Sequence, residues 1–265
     1  MEMATGTATT AAEHAAEAAH ASGIHISLVA ERIGDFLGLP ITNTLLMSWI
    51  VVVLLATVGI LVGHGVRLVP GRLQTLFEMM FEYVYDYITE TLESRDLARK
   101  LFPLLVTIFL FIFTANLLEF IPGVGSIGWF EPDGAFTPLF RSMNTDLNMT
   151  LALSIIAFAV IEVIGVMTIG FWKYAGKFIN FHSFMGFFIG IIDLVSEIAR
   201  LISFSFRLFG NIFAGEVLIL VITFFVPYVL PVPLMLFEVF VGFIQAVIFA
   251  LLTLFFVKLA VTEPH

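Results

Sequence analysis

Residues 184–226, FMGFFIGIIDLVSEIARLISFSFRLFGNIFAGEVLILVITFFV, decide how this chain folds. The run has no Gly-Pro turn, yet polar groups interrupt an otherwise apolar stretch. As one α-helix of about forty residues rising ~1.5 Å each it would be about 60 Å long, twice the ~30 Å hydrocarbon core of a bilayer. It therefore predicts either two spans or one steeply tilted span. Asp193, Ser196, Glu197, Arg200, Ser203, Arg207 and Asn211 recur at helical spacing and form one continuous polar face. Such a face is untenable against lipid, so it must meet protein, water or a partner of complementary charge. Arg207 is its most informative member. A cation at mid-bilayer costs roughly 2.5–3.5 kcal/mol on insertion scales, and a guanidinium cannot shed its proton. Arg207 thus cannot relay protons, but it can act as a permanent positive charge that governs nearby carboxylates. Glu216, nine residues further on, lies on the opposite side of the helix and points to a second environment.

Composition sets the class outward from this segment. Of 265 residues, 60% are hydrophobic and 12% charged, against roughly 45–50% and 25% in soluble domains. The apolar runs are helical in length, unlike the ten-residue alternating strands of a membrane barrel, so the fold class is an all-α integral membrane protein. Thirty Phe residues suit lipid-facing surfaces. The formal net charge of −9 argues against nucleic acid or anionic lipid as the main partner. With no cysteine, disulfides and thiolate metal sites are excluded.

Five spans are expected, at about 43–63, 101–121, 147–172, 184–226 and 233–261, the last two long and steeply tilted. Between the first two, Leu73, Leu76, Phe77, Met80, Val84, Tyr87 and Ile88 alternate with Glu78, Glu82, Asp86 and Glu90. That pattern predicts an amphipathic helix over about 72–93, too polar to cross and lying along the membrane surface. Pro103 falls in the first turn of the second span, where proline is tolerated. Residues 122–146 read as a loop of Gly-Pro turns. Charge chooses between one and two crossings for 184–226. With one crossing, His64 through Lys100, Lys173, Lys177 and Lys258 share a side, and Glu131 and Asp133 take the other. Residues 39–265 form a single membrane domain, and residues 1–38 an extramembrane tail. The tail lacks the basic start and apolar core of a signal peptide, and its His14, His20 and His25 read as solvated side chains, so no metal site is expected.

On the last helix Glu238 and Gln245, seven residues apart, share a face. Gln245 is a neutral donor and acceptor able to stand beside Arg207 without quenching its charge. Glu216 and Glu238 flank the Pro-rich turn between the last two helices, so they should lie at similar depth, to one side of Arg207. Two carboxyls there with water between them make a proton inlet. The plainer reading is that these polar groups only tie helices together. A haem-binding subunit is disfavoured because His64 and His182 fall at helix ends, and a secondary transporter because no internal repeat is visible.

Arg207-Leu208-Phe209-Gly210-Asn211, then Ala214-Gly215-Glu216, then Glu238 with Gln245-Ala246 and Ile248-Phe249, resemble subunit a of the F-type ATP synthase membrane sector. Asn116-Leu117-Leu118-Glu119 before Ile121-Pro122, and Asp146-Leu147-Asn148-Met149-Thr150, extend the resemblance from about Leu39 to the C-terminus. The resemblance implies a non-catalytic, cofactor-free proton-channel subunit, with two offset half-channels beside a rotating ring of c subunits and a peripheral stalk of b subunits. It implies that Arg207 faces the ring, that Glu216 and Glu238 line the periplasmic half-channel, and that Gln245 stands beside the arginine. Asn211, Ser203 and Asp193 match polar positions nearer the opposite exit. A bacterial plasma (inner) membrane is implied, with the N-terminus periplasmic and the C-terminus cytoplasmic. Where some members carry a His at one of the two inlet positions, this chain has carboxyls at both, and Arg200 has no assigned partner.

Overall fold

The computed structural model describes residues 30–36, 39–121, 127–130, 136–178 and 184–262. Helix starts follow local capping chemistry. Thr42 Oγ1 accepts from the Leu45 amide at 3.2 Å and opens α1, Asn43–Gly65; Ser94 Oγ accepts from the Leu97 amide and opens α3, Arg95–Glu119; Asp146 Oδ1 accepts from the Asn148 amide and opens α4, Leu147–Ile169. Each cap satisfies a donor that the first turn leaves unpaired. Because Ser94 starts α3 well before the apolar run, Pro103 lies in the helix interior and not in a first turn. Its carbonyl accepts from Thr107 Oγ1 at 2.7 Å.

Between α1 and α3, α2 covers Arg72–Leu92 and ends where Glu93 turns left-handed at φ 53°. Ile88 and Leu92 are its buried residues, and Tyr85 meets Phe102 of α3 edge to face at 5.5 Å, while Leu73, Leu76, Phe77 and Met80 stay exposed. After α4, Gly170 at φ 94° breaks the chain direction, and the short α5, Phe171–Phe178, follows. That φ is not helical and strains any L side chain, so glycine lets the chain end α4 short of Trp172, where the apolar run of the sequence reads as one span. Residues 184–226 then resolve to one unbroken helix, α6, over Phe184–Phe225. α7 runs from Pro231 to Val261, with proline at its first position where no amide is needed. Five of these helices, α1, α3, α4, α6 and α7, are long and apolar enough to cross a membrane.

Two short antiparallel hairpins accompany the helices. β1 (Arg32–Phe36) pairs with β2 (Leu39–Thr42), and β3 (Gly128–Phe130) with β4 (Phe136–Pro138). The first begins inside the stretch read as tail and the second inside the stretch read as turns. Both lie at the end where α1 and α4 begin: Asn43 Nδ2 donates to the Pro138 carbonyl at 3.3 Å, and Thr44 Oγ1 donates to Asp146 Oδ2 at 2.9 Å.

The core is the seam among α3, α4, α6 and α7, filled by Leu101, Ile112, Ile161, Leu208, Ile212, Leu254 and Val257. Glycines let the backbones approach, as helices in lipid require. A Cβ on Gly242 of α7 would come within 2.9 Å of Asn116 Cβ on α3, and one on Gly165 of α4 within 2.6 Å of the Tyr174 ring.

At the far end of the bundle Lys258 Nζ donates to Glu93 Oε1 at 2.9 Å. That contact puts the end of α7 beside the α2–α3 turn, as a single crossing by α6 requires. The hydrogen bond from Lys258, then its charge, hold the Glu93 carboxyl below its ordinary value. A carboxyl lowered in the folded state contributes stability above its unfolded pKa, and that contribution disappears as pH falls through the lowered value. Glu93→Gln is therefore expected to melt slightly below the parent in detergent at neutral pH, with the difference closing in acid. A difference of equal size throughout the acid range would mean that the ion pair does not cause it.

Candidate functional site

Burial along α6 sorts the polar stripe into two parts. Phe204, Leu208, Ile212 and Gly215 turn into the core, whereas Ser203, Arg207, Asn211 and Ala214, one residue earlier on each turn, are exposed on the outer surface. Arg207 is thus held by a helix yet faces away from the chain's own core. Among the described residues its guanidinium has one polar contact, Ser203 Oγ at 3.4 Å. It lines a groove of about 280 Å³ with Ser196, Arg200, Ser203, Leu252 and Phe256. An unpaired guanidinium there is available to an external carboxylate.

The other end of the stripe is not one surface. Asp193 is half-buried, Ser196 Oγ turns back to the Ile192 carbonyl at 2.8 Å, and Glu197 is buried. Glu197 Oε2 accepts from Arg200 Nη1 at 2.6 Å, and the Arg200 guanidinium lies 4.1 Å from the Phe256 ring centroid. The continuous polar face expected from spacing therefore bends inward at Glu197.

The inner side of α6 leads to a second cluster. Glu216 Oε2 lies 3.8 Å from Arg141 Nη2, and the Glu238 carboxyl rests against Gly215, where a Cβ would overlap it. Glu119, at the end of α3, is within electrostatic range of Glu216, Glu238 and Arg141. Glu119 Oε2, Glu216 Oε2 and Glu238 Oε1 are buried without a hydrogen-bond partner among the described residues. Yet no three acidic or His side chains among them converge closely enough to hold a metal ion.

Glu216 and Glu238 are brought together as their flanking positions suggest, and Arg207 stands about two and a half helical turns from Glu216. Gln245 is buried on α7, 8% exposed. With Gly215 against Glu238 and Phe204 stacked on Phe249 at 5.0 Å, the antiparallel register sets Gln245 opposite Leu208, at the depth of Arg207. No hydrogen bond joins Gln245 to Arg207 among the described residues.

Reasoning from sequence missed Glu119, Arg141, Asn116 and Asn144 as site residues. Asn116 Nδ2 donates to the Gly242 carbonyl at 3.0 Å, and Asn144 Nδ2 donates to Asn116 Oδ1 at 2.6 Å. The second bond ties the segment carrying Arg141 to α3, and the first ties α3 to α7. The available signal was the Asn116-to-Pro122 motif, whose Asn and Glu end an apolar helix where neither improves packing.

The family described as ATP synthase A chain matches residues 45–258. The chain belongs to that family. It is 32% identical over 218 residues to ATP synthase subunit a 2 of Syntrophotalea carbinolica, covering 82% of this chain and 85% of that one. ATP synthase subunit a of Mycobacterium bovis is 36% identical over 202 residues, covering 74% of this chain and 78% of that one. Subunit a of Campylobacter jejuni strain RM1221 is 32% identical over 204 residues, covering 77% and 83%. As a subunit a of the F-type ATP synthase, the chain is a multi-pass membrane component of the complex that makes ATP, and its chemistry is proton transport. Arg207 and all three carboxyls of the inner cluster lie inside the matched residues.

Proposed function

We propose that this subunit a is the stator half of a proton turbine: two half-channels that meet at Arg207 against a rotating ring of c subunits. The observation that carries this reading is the division of polar groups across α6. One face presents Arg207 outward, and the other, further along, brings Glu216 beside buried Glu238 and beside Glu119, each with a carboxyl oxygen shut off from solvent.

Protons would enter from the periplasmic side through Glu119, Glu216 and Glu238 and pass by Gln245 to a carboxyl on the ring. After nearly a full rotation, that carboxyl would release its proton to the opposite half-channel, beside Ser203 and Asp193; Asn211, one helical turn from Arg207 toward Glu216, would belong to the first path instead of the opposite exit. Arg207 pairs with each ionised ring carboxylate as it passes and bars direct proton transfer between the half-channels. No bond chemistry occurs in this subunit and no cofactor is required; nucleotide chemistry belongs to other subunits, and b subunits of the peripheral stalk hold it against rotation. In a bacterial inner membrane the two hairpins and the N-terminal tail, residues 1–38, face the periplasm. The Glu93–Lys258 end and the C-terminus face the cytoplasm, with α2 lying along that membrane surface and α6 tilted to follow the ring.

Cysteine placed at position 207, or at the exposed neighbour 211, tests the reading by cross-linking in native membranes. Disulfides to the carboxyl-bearing helix of subunit c are expected. Cross-links to lipid-facing positions of other subunits, with none to the ring, would overturn it.

A further inference from the structure

Arg200 and Arg207 lie seven residues apart on α6, about 10 Å at ~1.5 Å per residue, and line the same groove. Their environments differ. Arg207 is exposed and touches only a hydroxyl among the described residues, whereas the Arg200 side chain is 16% exposed and the Glu197 side chain that holds it 6%. Phe256 of α7 covers the face of the Arg200 guanidinium. A cation spread over a ring and paired at 2.6 Å presents little net charge to a ligand in the groove.

Two uncompensated guanidiniums would change what the groove does. A carboxylate leaving Arg207 would meet a second positive charge two turns along, which would hold it ionised where it should take up or release a proton. Burying Glu197 makes sense in this light, since an unpaired acid there would be expensive. Behind the pair, Tyr174 of α5 donates to Glu162 Oε2 at 2.9 Å. Burial, and then Glu162, keep this phenol above its ordinary value, so it remains a donor and brings no charge of its own to Glu197. Lys173 is exposed, and Asp193 lies one turn before Glu197 on the same helix.

We infer that Glu197 is a positioning residue for proton transport: it withdraws the charge of Arg200 from the ring-facing groove, leaving Arg207 as the one uncompensated cation there among the described residues. This inference rests on the ring-facing role proposed for Arg207.

The test uses the intact ATP synthase in inverted membrane vesicles, with rates normalised to the amount of assembled complex. Glu197→Gln is expected to lower proton-driven ATP synthesis on the order of tenfold. In that background, neutral Arg200→Gln and Arg200→Met should both restore most of the rate, whereas Arg200→Lys should not. Activity would then follow the charge at position 200 and not its shape, which a purely structural ion pair would not produce. Full activity in Glu197→Gln, or rescue by Lys as good as by Gln and Met, would overturn the inference. If Arg207→Ala in the same vesicles kept its activity, the ring-facing reading itself would fall, whatever position 200 did.

Discussion

Arg207→Ala is expected to remove proton-driven ATP synthesis, by about a hundredfold or more relative to the parent, while the complex still assembles. Both halves of that result follow from the surroundings of Arg207. Its side chain is exposed and, among the described residues, has Ser203 Oγ at 3.4 Å as its one polar contact, so truncation strands no buried counter-ion and opens no cavity in the core. The neighbouring inward positions, Leu208 and Phe204, keep their packing. On the proposed mechanism, what vanishes is the fixed charge that stabilises an ionised ring carboxylate and separates the two half-channels. Arg207→Gln, which keeps hydrogen-bonding capacity without charge, should fail alike. Both variants should let protons cross without rotation, which appears as a passive leak in vesicles stripped of the catalytic sector. ATP synthesis near the parental rate in either variant would remove Arg207 from the mechanism.

Gly215→Ala should produce the second large loss, by a different route. Gly215 is helical and buried, and a Cβ built there overlaps the carboxyl of Glu238. Alanine improves intrinsic helix propensity by up to about 1 kcal/mol over glycine, so a defect cannot come from the helix itself. It must come from displacement of the carboxyl or separation of α6 from α7. Proton-relay geometry tolerates little displacement; a shift of ~1 Å can cost on the order of a hundredfold in rate. A fall of about tenfold or more in proton-driven synthesis is expected. Adding Glu238→Asp, which withdraws the carboxyl by one methylene, should recover part of it. Parental rates in Gly215→Ala would mean that Glu238 does not work from the position against Gly215.

Much of this was legible in the chain because membrane insertion makes polar residues conspicuous. The spacing from Ser203 through Arg207 to Asn211 needed only helical geometry to predict one polar face, with protein, water and a partner all left open as what it meets, and the side on which Lys258 falls favoured one crossing for residues 184–226. The opposition of Glu216 to Arg207 around the helix followed from its nine-residue separation. Contacts between distant segments were less visible. Arg141 stood out only as the one basic residue of the 122–146 loop, and Glu119 only as part of the Asn116-to-Pro122 motif; the packing of α3 and the residue 141 segment against α6 and α7 makes them neighbours of Glu216 and Glu238. Glu197 counted as one more member of a stripe, because spacing cannot tell that its side chain turns inward to Arg200. The break at Gly170 was hidden by the apolar residues on either side, and the hairpins by their shortness.

The bonds from Asn144 to Asn116 and from Asn116 to the Gly242 carbonyl have a mechanical consequence. They link the segment that carries Arg141 to α3 and, through Asn116, to α7, while Arg141 reaches α6 at Glu216. Residues 141–146 are buried, so this segment is an internal keystone and not a handle on the surface. Strain on any one of the three helices is therefore shared with the other two.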